Sequence, residues 1–527
     1  MRFLISVSSV LALAFFCQYR SASAEQQEIV DHLDHLLYED SYLSTFLDFP
    51  CDERQNTTTA AQWLRLAYHD MSTHNVDDGS GGLDGSIAYE LDRPQNVGNG
   101  MLESLDELVP FMRPAVGLAD ILAFAAVRAV DNCNGPKVRL RGGRIDATSA
   151  GPPTVPEPHQ DLASHTESFR RQGFNQSEMI ALVACGHSLG GVRRVDFPEI
   201  LHNEDADLEL FDGTQTFDHA VISGYLDGTT SNPLVIGPNV TTNSDLRIFS
   251  SDGNATMNGL ADPDTFNRTC GELIERMINT VPKNVELTNI VTPIQYKVSD
   301  TVLFLGNASD ATMLFIATLR VIGENPNRKV KLFWNDRDES LTCPTSGCSA
   351  APITTSFRLP SLLAETRYGF PGSTSYFFKT SVNMTTSLSN FWFGVDEGDG
   401  STPTIVNKVS TGKVLAISQD TVLHDPARSQ SIVDKDNIVI AINLVVAVRG
   451  DPSNVQVSVN TWMNGNGTNP VPTRTRVNLD LDPRFPDMGG YSFFSGNATL
   501  PFIFFDIEAH VASETIEVTN VVPLRNI

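Results

Sequence analysis

The strongest constraint on the fold of this chain is a change in sequence pattern near residue 288. Before that point, apolar residues recur at three- and four-residue spacing, which is typical of amphipathic helices. After it, short β-branched and aromatic runs alternate with turn residues, which is typical of antiparallel sheets. We therefore predict a multidomain protein, with a mainly α-helical domain over 25–287 and an all-β, sandwich-like domain over 288–527 that forms one unit or two.

Several elements are clear enough to be placed in advance. Helices are predicted over 102–112, 118–129, 177–186 and 272–279. Two stretches of the second half, 317–332 and 443–457, each place an Asn-Pro or Asp-Pro turn between two β runs, so each is predicted to be a hairpin. The clearest strands are predicted over 302–305, 313–319, 330–334, 375–378, 391–394, 438–444 and 455–459.

One segment of the helical half joins a cation to an imidazole. Arg65 and His69 are four residues apart in a helical pattern, so they share one helix face. This pair suits the cleavage of a peroxide, with His69 acting as base and then acid and Arg65 stabilising negative charge. The alternative is an ordinary surface helix. The apolar residues that set the helical pattern are Ala60, Trp63, Leu64, Ala67 and Tyr68.

Oxygen-bearing residues follow His69. Asp70, Asp84 and Ser86, with a glycine turn that includes Gly82, offer carboxylate, hydroxyl and carbonyl oxygens, the ligands that suit calcium. Further on, the side-chain carbonyl of Asn96 could accept the Nδ1 proton of His69 and keep the other ring nitrogen basic.

The order of these residues resembles the plant, fungal and bacterial haem peroxidase superfamily, and more closely its secreted fungal branch, from about residue 51 to about residue 284. The resemblance implies a helical fold with haem b between a distal layer, where peroxide reacts, and a proximal layer that holds the iron. Arg65, His69 and Asn96 match the distal catalytic residues. The distal calcium ligands of the family are matched by Asp70, Gly82, Asp84 and Ser86.

On the proximal side, His187 in the segment Ala-Cys-Gly-His-Ser falls where the family places the histidine that binds iron. Peroxidases hydrogen-bond this imidazole to a buried carboxylate, which favours high-valent iron. Asp245 is the predicted carboxylate and Asp252 is the nearby rival. A second, proximal calcium site is implied at Ser188, Asp212, Thr214 and Asp218, although the spacing there is one residue shorter than the family pattern.

The residue before the distal histidine departs from the family. It is Tyr68, where secreted members usually have Phe and intracellular members Trp, so a phenol is expected over the haem. Trp63 is the only Trp before Trp334, so the Trp-based electron routes of cytochrome c peroxidase and lignin peroxidase are not expected.

The N-terminus has the pattern of a cleaved secretory signal. An apolar run over 3–16 is followed by Ala22-Ser-Ala24, so the signal is predicted to be residues 1–24 and the mature protein to start at Glu25. The net charge of −26 disfavours nucleic acid and anionic membranes as partners. We expect a secreted, extracellular monomer. Sequons for glycosylation occur at Asn56, Asn175, Asn239, Asn254, Asn267, Asn307, Asn383, Asn466 and Asn497.

Removal of Cys17 with the signal leaves six cysteines, consistent with three disulfides, and the sequence alone permits fifteen pairings. The pairing of Cys51 with Cys133 is implied by the resemblance. Cys343 and Cys348 are close enough to close a small loop, which leaves Cys185 with Cys270 by elimination.

Together these features predict a secreted haem peroxidase that reduces hydrogen peroxide and oxidises small donors, first of all phenols. Manganese, ascorbate or a protein stay open as donors. The alternative is a non-catalytic extracellular binding protein on a peroxidase scaffold. In either case Trp392 or Trp462 in the β domain could bind an extracellular polysaccharide, although core packing is the more common fate of a strand Trp.

Overall fold

A computed structural model describes the chain over 22–38, 51, 53–54, 57–113, 115–201, 206–306, 312–337, 348–359, 369–408, 414–417, 419–433, 440–463, 473–500 and 505–521. Within these ranges, every α-helix ends before residue 280, and the long strands begin at Tyr296. The predicted fold class, a mainly helical part followed by an all-β part, is confirmed. The exact domain boundary at residue 288 stays a prediction.

The described helices fit the apolar spacing of the sequence, and the bounds of the four predicted helices differ from the observed ones by at most nine residues. None of them is both long and apolar enough to cross a bilayer. The α-helices are α1 (Ala22–Tyr38), α2 (Thr59–Met71), α3 (Asn99–Leu108), α4 (Leu118–Asn132), α5 (Leu162–Arg171), α6 (Gln176–Gly186), α7 (Ala220–Asp227), α8 (Pro233–Ile236), α9 (Ser244–Phe249), α10 (Ala255–Gly259) and α11 (Pro263–Ile278). Short 3-10 helices cover Ser86–Tyr89, Pro94–Asn96, Val109–Phe111, Val240–Thr242 and Pro452–Asn454.

The core of the helical half forms around α4. Every residue of α4 from Leu118 to Asp131 is buried, because most of them are apolar and other parts of the helical half pack around the helix. Helix α2 packs on α4 through one apolar face, which includes Trp63 and Ala67. Another face of α2 carries polar side chains, and Arg65 on that face lines a cavity.

Two disulfides tie this half together. Cys51 is bonded to Cys133 and Cys185 to Cys270, as predicted. Cys348 is also disulfide-bonded, but its predicted partner Cys343 lies outside the described residues.

The strands of the second half surround two apolar cores. One core includes Phe315 and Phe393 from the two four-stranded sheets and continues onto the eight-stranded sheet through Val445 and Phe493. The other core, which includes Leu444, Val459 and Ile507, belongs to the eight-stranded sheet. The strand orders are β5-β6-β10-β9, β12-β11-β7-β8 and β13-β15-β18-β17-β16-β19-β20, with β14 beside β15; the helical half adds the small sheets β1-β2 and β3-β4.

The strand bounds agree with the alternating patterns of the sequence. They are β1 (Glu53–Arg54), β2 (Thr57–Thr58), β3 (Gly191–Arg193), β4 (Leu208–Leu210), β5 (Tyr296–Leu305), β6 (Thr312–Ile322), β7 (Lys329–Trp334), β8 (Ser349–Ala350), β9 (Thr354–Arg358), β10 (Ser373–Asn383), β11 (Phe391–Asp396), β12 (Thr404–Val406), β13 (Val422–His424), β14 (Gln430–Val433), β15 (Ile440–Arg449), β16 (Val455–Met463), β17 (Thr473–Leu481), β18 (Tyr491–Leu500), β19 (Phe505–Val511) and β20 (Glu514–Val521).

The two predicted hairpins are wrong. Strand β6 pairs with β5 and β10, whereas β7 pairs with β8 and β11 in the other sheet. In the eight-stranded sheet, β15 and β16 likewise have different partners. A Pro turn after a strand is compatible with a hairpin, but here each turn carries the chain from one set of strands to another. The strands themselves were predicted correctly, and only their pairing was not.

A buried charge cluster joins α1 to the β half. Asp34 accepts a hydrogen bond from the backbone N–H of Ile294 at 2.9 Å and pairs with Lys297 at 2.7 Å and Arg320 at 3.2 Å. Asp34 and Arg320 are almost fully buried. Cleavage at the predicted signal site, after Ala24, would remove the first three residues of α1 and leave Asp34 in the mature protein.

Candidate active site

A cavity of about 470 Å³ lies between α2 on one side and the end of α6 on the other. Its size falls within the usual range of sites for cofactors and other small molecules. Arg65, Tyr68 and His69 line it from α2, and His187 and Asp245 line it from the other side. The two histidine motifs of the sequence therefore meet at one cavity.

On the first, distal side, His69 is held by one short hydrogen bond. Its Nδ1 atom lies 2.7 Å from Oδ1 of Asn96, and the Asn96 amide nitrogen donates to the carbonyl of Glu90 at 2.8 Å. Since that nitrogen is the donor, the amide oxygen must face the imidazole, which places the His69 proton on Nδ1. Burial, and then the charge of Arg65, lower the pKa of His69 to about 3. The imidazole is therefore neutral near pH 7, as a general base must be.

Arg65 lies one helical turn before His69. Its guanidinium donates to the carbonyl oxygens of Val97 at 3.0 Å and Gln95 at 3.4 Å. Burial lowers the pKa of Arg65 to about 10, against the attraction of Asp196, so the side chain keeps its charge at neutral pH. A fixed positive charge beside a neutral imidazole is thus present on this side of the cavity.

The Tyr68 phenol lines the same side. Its hydroxyl donates to the side-chain oxygen of Gln172 at 3.4 Å, and its ring is 6.1 Å from that of Phe169. Burial raises the pKa of the phenol. Because a neutral amide oxygen is a weak base, this arrangement favours the protonated phenol.

On the opposite, proximal side, His187 directly follows α6 as its C-cap. A capping box, formed by Asn175 with Glu178, fixes the start of that helix. Nδ1 of His187 lies 2.7 Å from Oδ2 of Asp245 in the first turn of α9. Asp252, the rival candidate, instead accepts hydrogen bonds from the backbone and side chain of Thr256. The structure thus brings Asp245, and not Asp252, to His187.

Two residues beside His187 were missed from the sequence. The ring of Phe211 stacks on the imidazole, with centroids 4.2 Å apart and planes 15° apart. Asn232 donates from Nδ2 to Asp245 Oδ2 at 2.8 Å. The sequence signals here were weak: Phe211 precedes Asp212 of the predicted calcium set, and an Asn-Pro pair at residue 232 indicates only a helix start.

The predicted distal calcium residues lie together. The Asp70 carboxylate accepts backbone N–H groups of Asp84, Gly85 and Ile87 at 2.8–2.9 Å, and the Ser86 N–H donates to Asp84 Oδ1 at 3.2 Å. The Gly82 carbonyl is 3.5 Å from the Thr73 hydroxyl. Burial, and then the neighbouring charge of Asp84, raise the pKa of Asp70. Backbone donors therefore already satisfy much of this carboxylate.

Most of the predicted proximal calcium set also converges. The Thr214 hydroxyl contacts Asp212 Oδ1 at 3.1 Å and Asp218 Oδ2 at 3.3 Å. The second oxygen of Asp212 is buried with no hydrogen-bond partner among the described residues, and burial raises the pKa of Asp212 to about 7. The Ser188 hydroxyl donates to the Cys185 carbonyl at 2.8 Å. No cluster of three or more His, Cys, Asp or Glu side chains suited to a metal occurs among the described residues, so a calcium site here would need carbonyl, hydroxyl or water oxygens as well.

The donor set on the proximal side fits haem iron. The hydrogen bond to Asp245 occupies Nδ1 of His187 and leaves Nε2 as the ligand atom, the usual arrangement for a histidine that binds a metal. The His187 side chain keeps 30% of its surface accessible, and it lines the cavity. Apolar walls from residues such as Leu182, Phe197 and Met277 suit a porphyrin.

Comparisons with known proteins point to the same family. Residues 51–252 match the family model described as peroxidase. L-ascorbate peroxidase 5 of Arabidopsis thaliana is 35% identical over 174 residues, covering 32% of this chain and 58% of that protein. Manganese peroxidase 2 of Phlebia radiata is 32% identical over 147 residues, covering 26% of this chain and 37% of that protein.

A longer match covers 65% of this chain. It is to a WSC domain-containing protein of Arthroderma benhamiae, 35% identical over 358 residues, of which this chain covers 48%. The chain thus spans about half the length of the curated relatives it matches. Nearness to the secreted fungal branch in particular stays a prediction. Residues 51–252 therefore match the peroxidase family and are similar to members of the plant, fungal and bacterial haem peroxidase superfamily.

Proposed function

We propose that this protein is a secreted haem b peroxidase that reduces hydrogen peroxide and oxidises small donors, with phenols as the first donor class. The observation that carries the proposal is the pair of histidines at one cavity, each with its Nδ1 atom 2.7 Å from a side-chain oxygen. Haem, when bound, supplies an iron that takes two oxidising equivalents from peroxide and passes them to donors one at a time.

The distal residues supply proton transfer. His69, neutral and with Nδ1 protonated, accepts a proton from hydrogen peroxide at Nε2 and returns it to the oxygen that leaves as water. Arg65 stabilises the negative charge that develops on that oxygen. Asn96 fixes the tautomer and the orientation of His69. His187 would bind the iron through Nε2, and Asp245 would hold the Nδ1 proton in a strong hydrogen bond that makes the imidazole a better electron donor.

The test is stopped-flow absorption of the haem-loaded full chain mixed with hydrogen peroxide, with and without a phenol. We expect rapid loss of Soret intensity, and its recovery when the phenol is present. Recovery of Soret intensity only with manganese or ascorbate would support a peroxidase but replace phenols as the proposed donor class. Haem that binds without reacting would favour the alternative, a non-catalytic extracellular binding protein on a peroxidase scaffold.

Calcium at two sites is part of the proposal. The unpartnered oxygen of Asp212 supports the proximal site, with Thr214, Asp218 and Ser188 as companions. Asp70, Asp84, Ser86 and the Gly82 carbonyl would form the distal site. At the distal site the Ser86 hydroxyl is likewise buried with no hydrogen-bond partner among the described residues, whereas Asp70 already accepts backbone N–H groups. Metal analysis of the purified full chain, compared with Asp212→Asn, would test this assignment; equal calcium content in both would remove Asp212 from it.

Export is proposed from the N-terminal signal pattern, and N-terminal sequencing of the secreted protein tests whether it begins at Glu25. Attachment to an extracellular polysaccharide is a second proposed role. It is supported by Trp392 of β11, which is only partly buried and lies parallel to Phe333 of β7, with centroids 5.7 Å and planes 10° apart. The side chain of Trp462 lies outside the described residues.

Sedimentation of the full chain with insoluble glucan, chitin and cellulose tests the polysaccharide role. Trp392→Ala should reduce binding, whereas Ile405→Ala, an exposed apolar residue on the neighbouring strand β12, should not. No sedimentation of the unmodified chain with any of the three polymers would reject the role.

A further inference from the structure

One oxygen of Asp245 receives two hydrogen bonds. Oδ2 lies 2.7 Å from Nδ1 of His187 and 2.8 Å from Nδ2 of Asn232. The nearest partner of the other oxygen, Oδ1, is the Ser244 hydroxyl at 3.4 Å. Asn232 and Asp245 are almost fully buried, so water does not compete for these bonds. The imidazole and the Asn232 amide therefore share a single acceptor atom.

The orientation of the Asn232 amide follows from its second contact. Its Oδ1 atom accepts the backbone N–H of Leu234 at 2.8 Å, as the N-cap of α8. A backbone N–H can only donate, so the oxygen of the amide must face Leu234. The NH₂ group is thereby directed at Asp245. Pro233 at the first helical position keeps the short helix in place.

We propose that Asn232 is a positioning residue that limits how strongly Asp245 attracts the proton of His187, and so limits the electron density that the imidazole gives to the iron. A carboxylate oxygen that accepts a second N–H has less negative charge to offer to the first. Asn232 thus makes the iron easier to reduce than Asp245 alone would. This inference rests on the proposed function, because it requires His187 to bind haem.

The test removes the amide group of Asn232 that donates to Asp245 but keeps a side chain that can cap α8. In Asn232→Ser, the shorter hydroxyl is still a favourable N-cap for α8 but cannot reach Asp245 as the amide does. A matched control is Asn239→Ser, which also alters an Asn that caps a short helix, through the N–H of Thr241, on the exposed surface. Both full-length variants would be produced in a bacterial host, so that loss of the sequon at Asn239 has no effect.

Two spectroscopic quantities report on the iron–histidine bond. In Asn232→Ser we expect a lower midpoint potential of the Fe(III)/Fe(II) couple and a higher iron–histidine stretching frequency in resonance Raman spectra of the ferrous protein. The control should match the unmodified protein in both. Unchanged values in Asn232→Ser with haem normally bound would overturn the inference and leave the proposed function intact.

A second measurement needs no variant, in case Asn232→Ser fails to fold. Because both N–H groups point to the same oxygen, their hydrogens must be close in space. A nuclear Overhauser effect between the His187 ring N–H and the Asn232 amide protons is expected in the unmodified full chain, and its absence would overturn the inference. If the unmodified chain binds no haem, both this inference and the proposed function are wrong.

Discussion

The two sides of the cavity differ in the partner of one nitrogen. On the distal side, Nδ1 of His69 meets the neutral amide oxygen of Asn96; on the proximal side, Nδ1 of His187 meets the carboxylate of Asp245, and both distances are 2.7 Å. An amide fixes the tautomer without adding charge, so the ring stays neutral near pH 7. A carboxylate adds charge and makes the ring a better electron donor. The hydrogen-bond partner of Nδ1 therefore decides which of two roles a histidine side chain takes at this cavity.

The largest expected effect comes from the proximal side. His187→Ala removes the proposed iron ligand, so peroxide turnover should be essentially lost and the resting haem spectrum should change. Absorption spectra measure the change at the haem. Added imidazole can enter the space left by the side chain, so it should restore part of the original spectrum. A variant with an unchanged spectrum and full turnover would show that the two sides have been assigned wrongly.

Removal of the distal imidazole should act on rate and not on haem binding. His69→Ala should slow the reaction with peroxide by about 10²–10⁴-fold, the usual contribution of a general acid–base group. Stopped-flow absorption measures the rate, and the haem content of the same sample is the control. An undiminished rate would remove His69 from the mechanism.

Substitutions of Asn96 test whether the hydrogen-bond partner of Nδ1 determines the role of His69. Asn96→Leu removes the acceptor of the His69 Nδ1 proton, so the peroxide rate should fall by about 10- to 100-fold, as is usual when such a supporting group is lost. Asn96→Asp keeps an acceptor but gives the distal imidazole the kind of partner that His187 has. It should raise the pKa of His69. As the pH is lowered, the peroxide rate would then begin to fall at a higher pH than in the unmodified protein. If Asn96→Leu were as fast as the unmodified protein, the partner would not matter on this side.

His424 in the β half shows what burial does without such a partner. Its Nδ1 atom has no hydrogen-bond partner among the described residues, and burial lowers the pKa of His424 from 6.5 to about 4. The unfolded chain binds this proton below about pH 6.5, whereas the folded chain does so only near pH 4. The contribution to stability is therefore complete above pH 6.5 and is lost as the pH falls, by about 2 kcal/mol between pH 8 and pH 5.

Urea unfolding of the full chain at pH 8 and pH 5, compared with His424→Leu, measures this effect. Tryptophan fluorescence reports mainly on the β half, because Trp334, Trp392 and Trp462 all lie there. The variant should lose the part of the pH dependence that belongs to His424. An identical pH dependence in both proteins would mean that His424 does not titrate as its burial indicates.

Much of the fold was predictable because it depends on local pattern. The spacing of apolar residues placed α2 and α4, and alternation placed strands such as β6 and β7. The pairing of β6 with β5 and β10, instead of β7, was not predictable, because a Pro turn fits a hairpin as well as a crossing between sheets.

The site divides in the same way. Spacing put Arg65 and His69 on one helix face, and resemblance added Asn96, His187 and Asp245. The structure places His187 and Asp245 at the same cavity as His69, and it places Asn96 in hydrogen-bond contact with the His69 ring. The contact of Asn232 with Asp245 depends on how α8 and α9 pack, and no spacing in the sequence encodes that. The stacking of Phe211 on His187 is of the same kind.

The charge cluster around Asp34 has a practical consequence for anyone who wishes to study the halves separately. Lys297 and Arg320 belong to the β half, and their shared counter-ion belongs to the first helix of the chain. Separation at residue 288 would take the Asp34 carboxylate away from Lys297 and Arg320, and the loss of one partner from a buried ion pair costs several kcal/mol. Each fragment would lack one partner of these ion pairs, so both halves keep their native surroundings here only in the whole chain.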